Sequence, residues 1–342
     1  MKVIHCADIH LDSSLNTSLS AKQADIRRDE LLISFVNMVK YGAASGVKVI
    51  IIAGDLFDTD RIRIKTKQII ADCIQKNPQI DFLYLCGNHD DNVLVNDFVK
   101  SDNFKLFMGK GCAYRYGNIV FTGITDDKYV NNLNLKKDDV NILIMHTEAD
   151  VVKKLKGKNI DYLALGHIHK AYGGIIDDRG VYEYCGCLEP RGFDECGRHG
   201  FVELDIDGES VYRKYVEFGK RSAHVEEILI EADYDTAAAV SCIEDKLSLI
   251  SHDDMVKVVL TGKLSFETSV DIGYINNYFC GKYFAFRLED RTTIEKDIKK
   301  YMDENSLRGY FVRTVMASDE DMQLKSEIIK LGLDSLNGEA VR

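Results

Sequence analysis

The sequence predicts a layered α/β protein followed by a smaller α/β unit. Continuous apolar runs of strand character recur through the first half of the chain, and helical or loop segments separate them. Beyond residue 220 a second β-α-β-α-β series follows. At 342 residues the chain exceeds the ~250–300 residues at which single cores stop growing, so a large core and a smaller unit are expected. An apolar content of 45% and a charged content of 29% fit an ordinary globular chain.

Residues 2–7 (KVIHCA) read as a strand. Residues 21–41 carry apolar side chains at helical spacing, with Ile26, Leu31, Leu32, Phe35, Val36 and Val39 on one side. Gly42 and Gly46 are expected to end that helix. The run 47–53 (VKVIIIA) has no polar alternation, as in a strand covered on both faces. Further strands are expected at 81–86, 119–124, 141–145 and 161–165. From about 181 to 218 alternating segments with glycine turns predict an antiparallel second sheet. The second unit reads as strand 224–233, helix 236–250, strand 254–264, helix 269–279 and strand 282–290, with a polar, helical tail from 293. The expected domains are therefore 1–220 and 221–342.

Metal-ligand residue types stand just beyond these strands. They are Asp8 and His10 in DIH, Asp55 in GDLFD, Asn88 in GNHD, His146 in ILIMHTE, and His167 and His169 in GHIH. Sites in open α/β sheets gather at the carboxyl ends of strands, so distant clusters can meet there. Asp, Asn and His together offer the mixed oxygen and nitrogen donors that divalent ions take. Gly54 and Gly87 free the backbone for the turns into Asp55 and Asn88. Two ions about 3.5–4 Å apart are the standard answer to an anionic phosphoester: they neutralise its oxygens and activate a water. A carboxylate must then bridge them, and Asp55 is the natural candidate. His89, beside Asn88, is the candidate general acid, with Asp90 placed to orient it.

Other features have plainer readings. A lone histidine such as His5 or His224 is more often structural. Cys185, Cys187, Cys196 and His199 depart from common zinc spacings, and free cysteine is often simply buried. The basic run 61–67 (RIRIKTK) is more often a solvated helix face than a phosphate contact. Nine cysteines, an odd and scattered set, do not form a secreted disulfide framework, and a cytoplasmic protein is expected. No apolar run approaches the ~20 residues of a bilayer span. MKVIHCADIH reads as a strand and ligand cluster, not a leader. Of the net charge of −11, −8 falls on residues 221–342, with 15 Lys and Arg against 23 Asp and Glu. That excludes a broad basic DNA-wrapping surface, though not a phosphodiester cleft made positive by bound ions.

The order D-x-H, GD, GNH(D), H, GH-x-H resembles the calcineurin-like metallophosphoesterases. The resemblance implies a layered α/β/β/α sandwich in which Asp8, His10, Asp55 and His169 hold one ion and Asp55, Asn88, His146 and His167 the other. GDLFDTD and GNHDD differ from the GDxVDRG and GNHE of the protein phosphatase branch. VIHCADIHLD, AGDLFD, LCGNHD, ALGHIH and YCGCLEPRGFDE look like SbcD-type DNA-repair exonuclease subunits, closest to the YhaO type. This implies a manganese-dependent nuclease domain, with iron, zinc or magnesium also compatible, and a small capping domain that selects DNA ends. It further implies a homodimer that works with an SbcC-like coiled-coil ATPase. Some relatives carry a histidine where Asp58 stands, which places more of the phosphate positioning on His89. Competing readings are a small-molecule phosphodiesterase or pyrophosphatase with the same site, and a non-catalytic regulatory subunit of the ATPase.

Overall fold

Strand β1 (Lys2–Cys6) pairs in parallel with β2 (Val49–Ala53), β2 with β3 (Asp81–Leu85), and β3 with β4 (Phe104–Leu106). This is a computed structural model, and it describes residues 1–15, 19–58, 62–87, 101–108, 111–265, 270–295 and 298–336. On the other side of β1 the hairpin β11 (Gly200–Asp207) and β12 (Ser210–Glu217) adds antiparallel strands. A second sheet has the order β5-β6-β7-β8-β10-β9, built from β5 (Cys112–Tyr116), β6 (Ile119–Ile124), β7 (Val140–His146), β8 (Tyr162–Gly166), β9 (Tyr172–Ile175) and β10 (Val181–Tyr184). In it β6, β7, β8 and β10 run parallel, and β5 and β9 are antiparallel edges.

The alternation of side chains along a strand sorts the core into layers. Val3, Val49, Ile51 and Leu83 of the first sheet share one cluster with Phe121, Ile142, Ile144, Tyr162 and Ala164 of the second. Their neighbours Ile4, Cys6, Ile50, Ile52, Phe82 and Tyr84 pack with Leu31, Phe35, Met38 and Val39 of α1 (Ala21–Ser45) and Ile70 and Ile74 of α2 (Ile64–Gln75). The far face of the second sheet presents Leu143, Met145, Leu163 and Leu165 to Val130, Val151, Val152 and Leu155. Those last four lie on two 3₁₀ segments, Asp127–Asn132 and Ala149–Leu155. The fold is the expected α/β sandwich, and among the described residues its fourth layer is made of 3₁₀ turns.

Three local expectations are corrected. Helix α1 starts at a Ser20–Gln23 capping box and runs through Gly42 to Ser45, ending on Gly46 at φ 76°. Gly42 lies within the helix because a Cβ there would stand 3.2 Å from Ile4 Cδ1, so it serves close packing on β1. Ile26 is 39% exposed, while its neighbour Arg27 is fully buried, so a charged side chain takes the inward position. Residues 181–217 do not make a sheet of their own. β10 extends the second sheet and the β11–β12 hairpin extends the first, because each has an open strand to pair with.

The chain divides into two compact units. The first is Met1–Val225 with Ser251–Lys257 and Gly281–Phe286, and the second is Glu226–Ile250, Val258–Cys280 and Arg287–Arg342. After residue 222 the elements are β13 (Ala223–Leu229), α3 (Thr236–Leu247), β14 (Met255–Thr261), β15 (Lys263–Ser265), α4 (Ile272–Phe279), β16 (Ala285–Asp290) and β17 (Thr293–Glu295). Helices α5 (Ile298–Asp303), α6 (Leu307–Met316) and α7 (Met322–Leu336) close the chain around Tyr301, Val312, Val315, Ile329 and Leu333. Among the described residues no helix is long and apolar enough to cross a membrane.

Candidate metal centre

Because β1, β2 and β3 are parallel, as are β7 and β8, their carboxyl ends collect on one rim of each sheet. Asp8 follows β1, Asp55 follows β2, His146 ends β7 and His167 follows β8. The loops after β1 and β2 are laced together by backbone bonds: Asp8 N to Gly54 O (3.1 Å), His10 N to Asp55 O (3.0 Å) and Leu11 N to Leu56 O (2.9 Å). Asp8 (φ 51°), His10 (φ 49°), Asp55 (φ 48°) and His167 (φ 96°) all adopt left-handed backbone. Such conformations cost about 1–3 kcal/mol each and persist where the surroundings enforce them, typically at functional sites.

The glycines of the motifs act mainly by leaving space. A Cβ on Gly54, which also sits at φ 97°, would overlap the His146 imidazole, and one on Gly87 would overlap the Asp55 carboxylate. Gly87 has no positive φ, so close approach explains it better than the tight turn expected from the sequence. A Cβ on Gly166 would overlap the Ala53 carbonyl beside His146.

The donor atoms fall into two overlapping clusters. Ligand atoms of Asp8, His10 and His169 lie within 4.8 Å of one another, and so do those of Asp8, Asp55 and His146. Asp55 Oδ2 stands 3.3 Å from His146 Nε2 and 3.7 Å from His10 Nε2, between one ring of each expected ligand set. Asp8 belongs to both clusters. His167 donates its backbone N–H to Asp8 (2.9 and 3.1 Å), packs its ring edge-on against His146, and places Nε2 3.1 Å from Glu148 Oε1. Its ring belongs to neither cluster. Asn88, His89 and Asp90 lie outside the described residues.

These groups suit divalent ions. Asp8, His10 and Asp55 are buried at 0%, 1% and 2% exposure, where bare carboxylate charge is costly. Burial pushes the Asp8 carboxyl above its ordinary value even though His146 and His169 oppose it. His146 donates from Nδ1 to Ala53 O (2.9 Å), which leaves the buried Nε2 lone pair facing Asp55 with no hydrogen-bond partner among the described residues. Burial lowers the basicity of this ring, but Asp55 and Asp8 outweigh it and raise the net value. An unpartnered imidazole nitrogen beside two buried carboxylates is the mixed donor set that such ions take.

Sequence reasoning missed the groups behind the ligands. Glu195 Oε1 accepts from His169 Nδ1 at 2.7 Å, and Arg191 donates to the same carboxylate from Nη2 (2.7 Å), Nε (3.0 Å) and its backbone N–H (2.7 Å, to Oε2). Arg191 Nη1 donates to Asp58 Oδ1 (3.0 Å), which also stands 3.0 Å from His10 Nδ1. Burial raises the Glu195 carboxyl, yet His169 and Arg191 hold it well below the usual range. The only sequence signals were Asp58 within GDLFD and two charges inside LEPRGFDE. Cys187 Sγ contacts His199 Nδ1 at 3.3 Å, while Cys185 and Cys196 bond backbone carbonyls, and the four form no metal cluster among the described residues. Arg63 of the basic run is spent on Asp12, and Lys65 faces Asp29.

The family described as "Calcineurin-like phosphoesterase" matches residues 1–171, the half of the chain that carries all of these ligands. The chain belongs to the calcineurin-like phosphoesterase family. Its members are metal-dependent phosphoesterases with a dinuclear centre, and the rim of this phosphoesterase holds candidate ligand groups for one. The SbcD component of nuclease SbcCD from Escherichia coli K12 is 50% identical over 44 residues, covering 13% of this chain and 10% of that protein, with the same figures for the O157:H7 strain. A dimetal phosphatase from Danio rerio aligns at 11% identity over 60% of this chain and 92% of that one, with a TM-score of 0.38. A glutamine-dependent NAD+ synthetase from Acinetobacter baumannii aligns at 9% identity over 99% and 73%, with a TM-score of 0.36. Structural likeness at these levels assigns neither substrate nor partner.

Proposed function

We propose that this phosphoesterase is a DNA nuclease of the repair type, acting on DNA ends with two Mn²⁺ ions, as a homodimer beside an SbcC-like coiled-coil ATPase. The observation that carries the hydrolytic part is the pair of donor clusters that share Asp8, with Asp55 Oδ2 set between His10 (3.7 Å) and His146 (3.3 Å). The DNA part is supported by the 44-residue likeness to the SbcCD nuclease and by the presence of a second α/β unit. A cytoplasmic location fits an odd number of cysteines with no disulfide among the described residues.

Two bound ions would neutralise the phosphate oxygens and supply an activated water. Asp8, His10, Asp55 and His169 would hold one, and Asp55, Asn88, His146 and His167 the other. The residues themselves exclude bulk water from Asp8 and His10 and fix the rings through Ala53, Asp58 and Glu195. His89 would give its proton to the leaving alkoxide, a role worth about 10²–10⁴ in rate.

The test uses purified protein with Mn²⁺ on labelled linear DNA and on bis-p-nitrophenyl phosphate. Both should be cleaved, D55N should abolish both reactions, and H89A should slow both about 10²–10⁴-fold while Mn²⁺ binding persists. Turnover of the small diester without DNA cleavage, even with the ATPase added, would favour a small-molecule phosphodiesterase. No turnover of either would leave only the regulatory-subunit reading.

A further inference from the structure

We propose that Arg191 is a positioning residue for one ion: a single guanidinium that fixes both His10 and His169 through the paired carboxylates of Asp58 and Glu195. The proposal rests on the two-ion reading of the site and gives a role to residues outside the expected ligand set.

His169 Nδ1 stands 2.7 Å from Glu195 Oε1 and 3.0 Å from Arg191 Nη2, and His10 Nδ1 stands 3.0 Å from Asp58 Oδ1, so each ring is held at its far nitrogen. The two Nε2 atoms then face each other at 3.2 Å. Asp8 completes the cluster around them, a mixed nitrogen and oxygen donor set of the kind a shared divalent ion takes. Donation from the far ring nitrogen to a carboxylate also raises the basicity of the coordinating one.

One group holds both carboxylates. Arg191 Nη1 bonds Asp58, and Nη2 and Nε bond Glu195, so the planar fork spans the gap between the two histidines. A guanidinium presents donors in fixed directions, whereas an ammonium acts as a point charge and cannot serve both with the same geometry. The segment around it is itself anchored. Arg191 N–H bonds Glu195 Oε2 (2.7 Å), the buried Arg27 bonds Pro190 O (2.8 Å), and His199 Nε2 donates to Glu195 O (2.8 Å). Burying Glu195 to 3% exposure with its partners is costly unless the geometry is used.

The experiment is Mn²⁺ titration calorimetry on the full chain without substrate, comparing wild type with R191A, R191K, D58N and E195Q, each checked for folding by circular dichroism. Wild type should bind two ions. R191A should weaken one of them about 10–100-fold, the range for orienting partners of metal ligands, and leave the other unchanged. D58N and E195Q should each weaken that same ion by less, R191K should recover only part of the loss, and D58N/E195Q together should lose no more than R191A. If R191A does not fold, the two isosteric variants decide. Wild-type affinities in the variants, or equal weakening of both ions, would overturn the proposal. A wild-type protein that binds fewer than two ions would instead overturn the two-ion reading itself.

Discussion

Gly54 sets how closely His146 can stand to the strand that delivers Asp55. Its φ of 97° is left-handed, and a Cβ would overlap the imidazole. Gly54→Ala should therefore lower stability by about 2 kcal/mol or more, combining backbone strain with displacement of the ring, and should weaken Mn²⁺ binding. Gly46→Ala is the control. It also has a positive φ (76°) but nothing within 4 Å of the added methyl. It should cost about 1 kcal/mol and leave Mn²⁺ affinity alone. Denaturant titration and calorimetry read the two effects; a Gly54→Ala protein with wild-type Mn²⁺ affinity would contradict the role given to this glycine. At this scale Asp8, His10, Asp55, His146 and His169 were legible because their types and spacing are unusual for a core. Asp58, Arg191 and Glu195 were not, since they come together from positions 133 residues apart and each alone is an ordinary charged side chain.

Helix α1 is tied to the loop that carries Arg191 by charges buried beneath it. Arg27 donates to Glu30 Oε2 (2.7 Å), Glu189 Oε2 (2.9 Å) and Pro190 O (2.8 Å), and Ser34 and the Lys220 N–H complete Glu189. Removing one partner of a buried pair leaves the other uncompensated, which costs about 3–5 kcal/mol. Arg27→Met should therefore lose that much in denaturant unfolding. Lys220→Ala removes an amine that is 58% exposed from the same Glu30 and should cost under about 1 kcal/mol. Equal losses would show that the network is not cooperative with burial. The helix was legible from its apolar spacing, but the inward charge was not, because periodicity treats every Arg as outward. The same blindness misplaced residues 181–217: alternation marks a strand yet does not say which sheet edge it joins. The elements of the second unit were legible because strand and helix periods alternate there with glycine and polar breaks.

The sandwich as a whole has a titrating group between its sheets. His5 of β1 is fully buried, reaches Tyr162 OH of β8 at 2.8 Å through Nδ1, and meets that ring edge-on. Burial lowers its pKa from 6.5 to about 3. The unfolded chain therefore binds more protons than the folded one between those values, and folding stability falls as pH drops through that window. At about 1.4 kcal/mol per unit the full loss is of order 4–5 kcal/mol, reached near pH 3. Glu30 adds a second acid-sensitive term. Although burial raises it, bonds from Arg221, Lys220 and Arg27 bring it from 4.5 to about 2, so its contribution is lost as pH falls through that lower range. His5→Phe separates the two. The phenyl ring keeps the edge contact and gives up the hydroxyl bond, a cost of about 1 kcal/mol that does not depend on pH. Unfolding free energies of ion-free wild type and His5→Phe, measured from pH 7.5 to 5, should differ by a constant above pH 7. Below it the difference should move in the variant's favour by about 1 kcal/mol per pH unit. A difference that stays flat down to pH 5 would mean that His5 accepts its proton inside the folded sandwich.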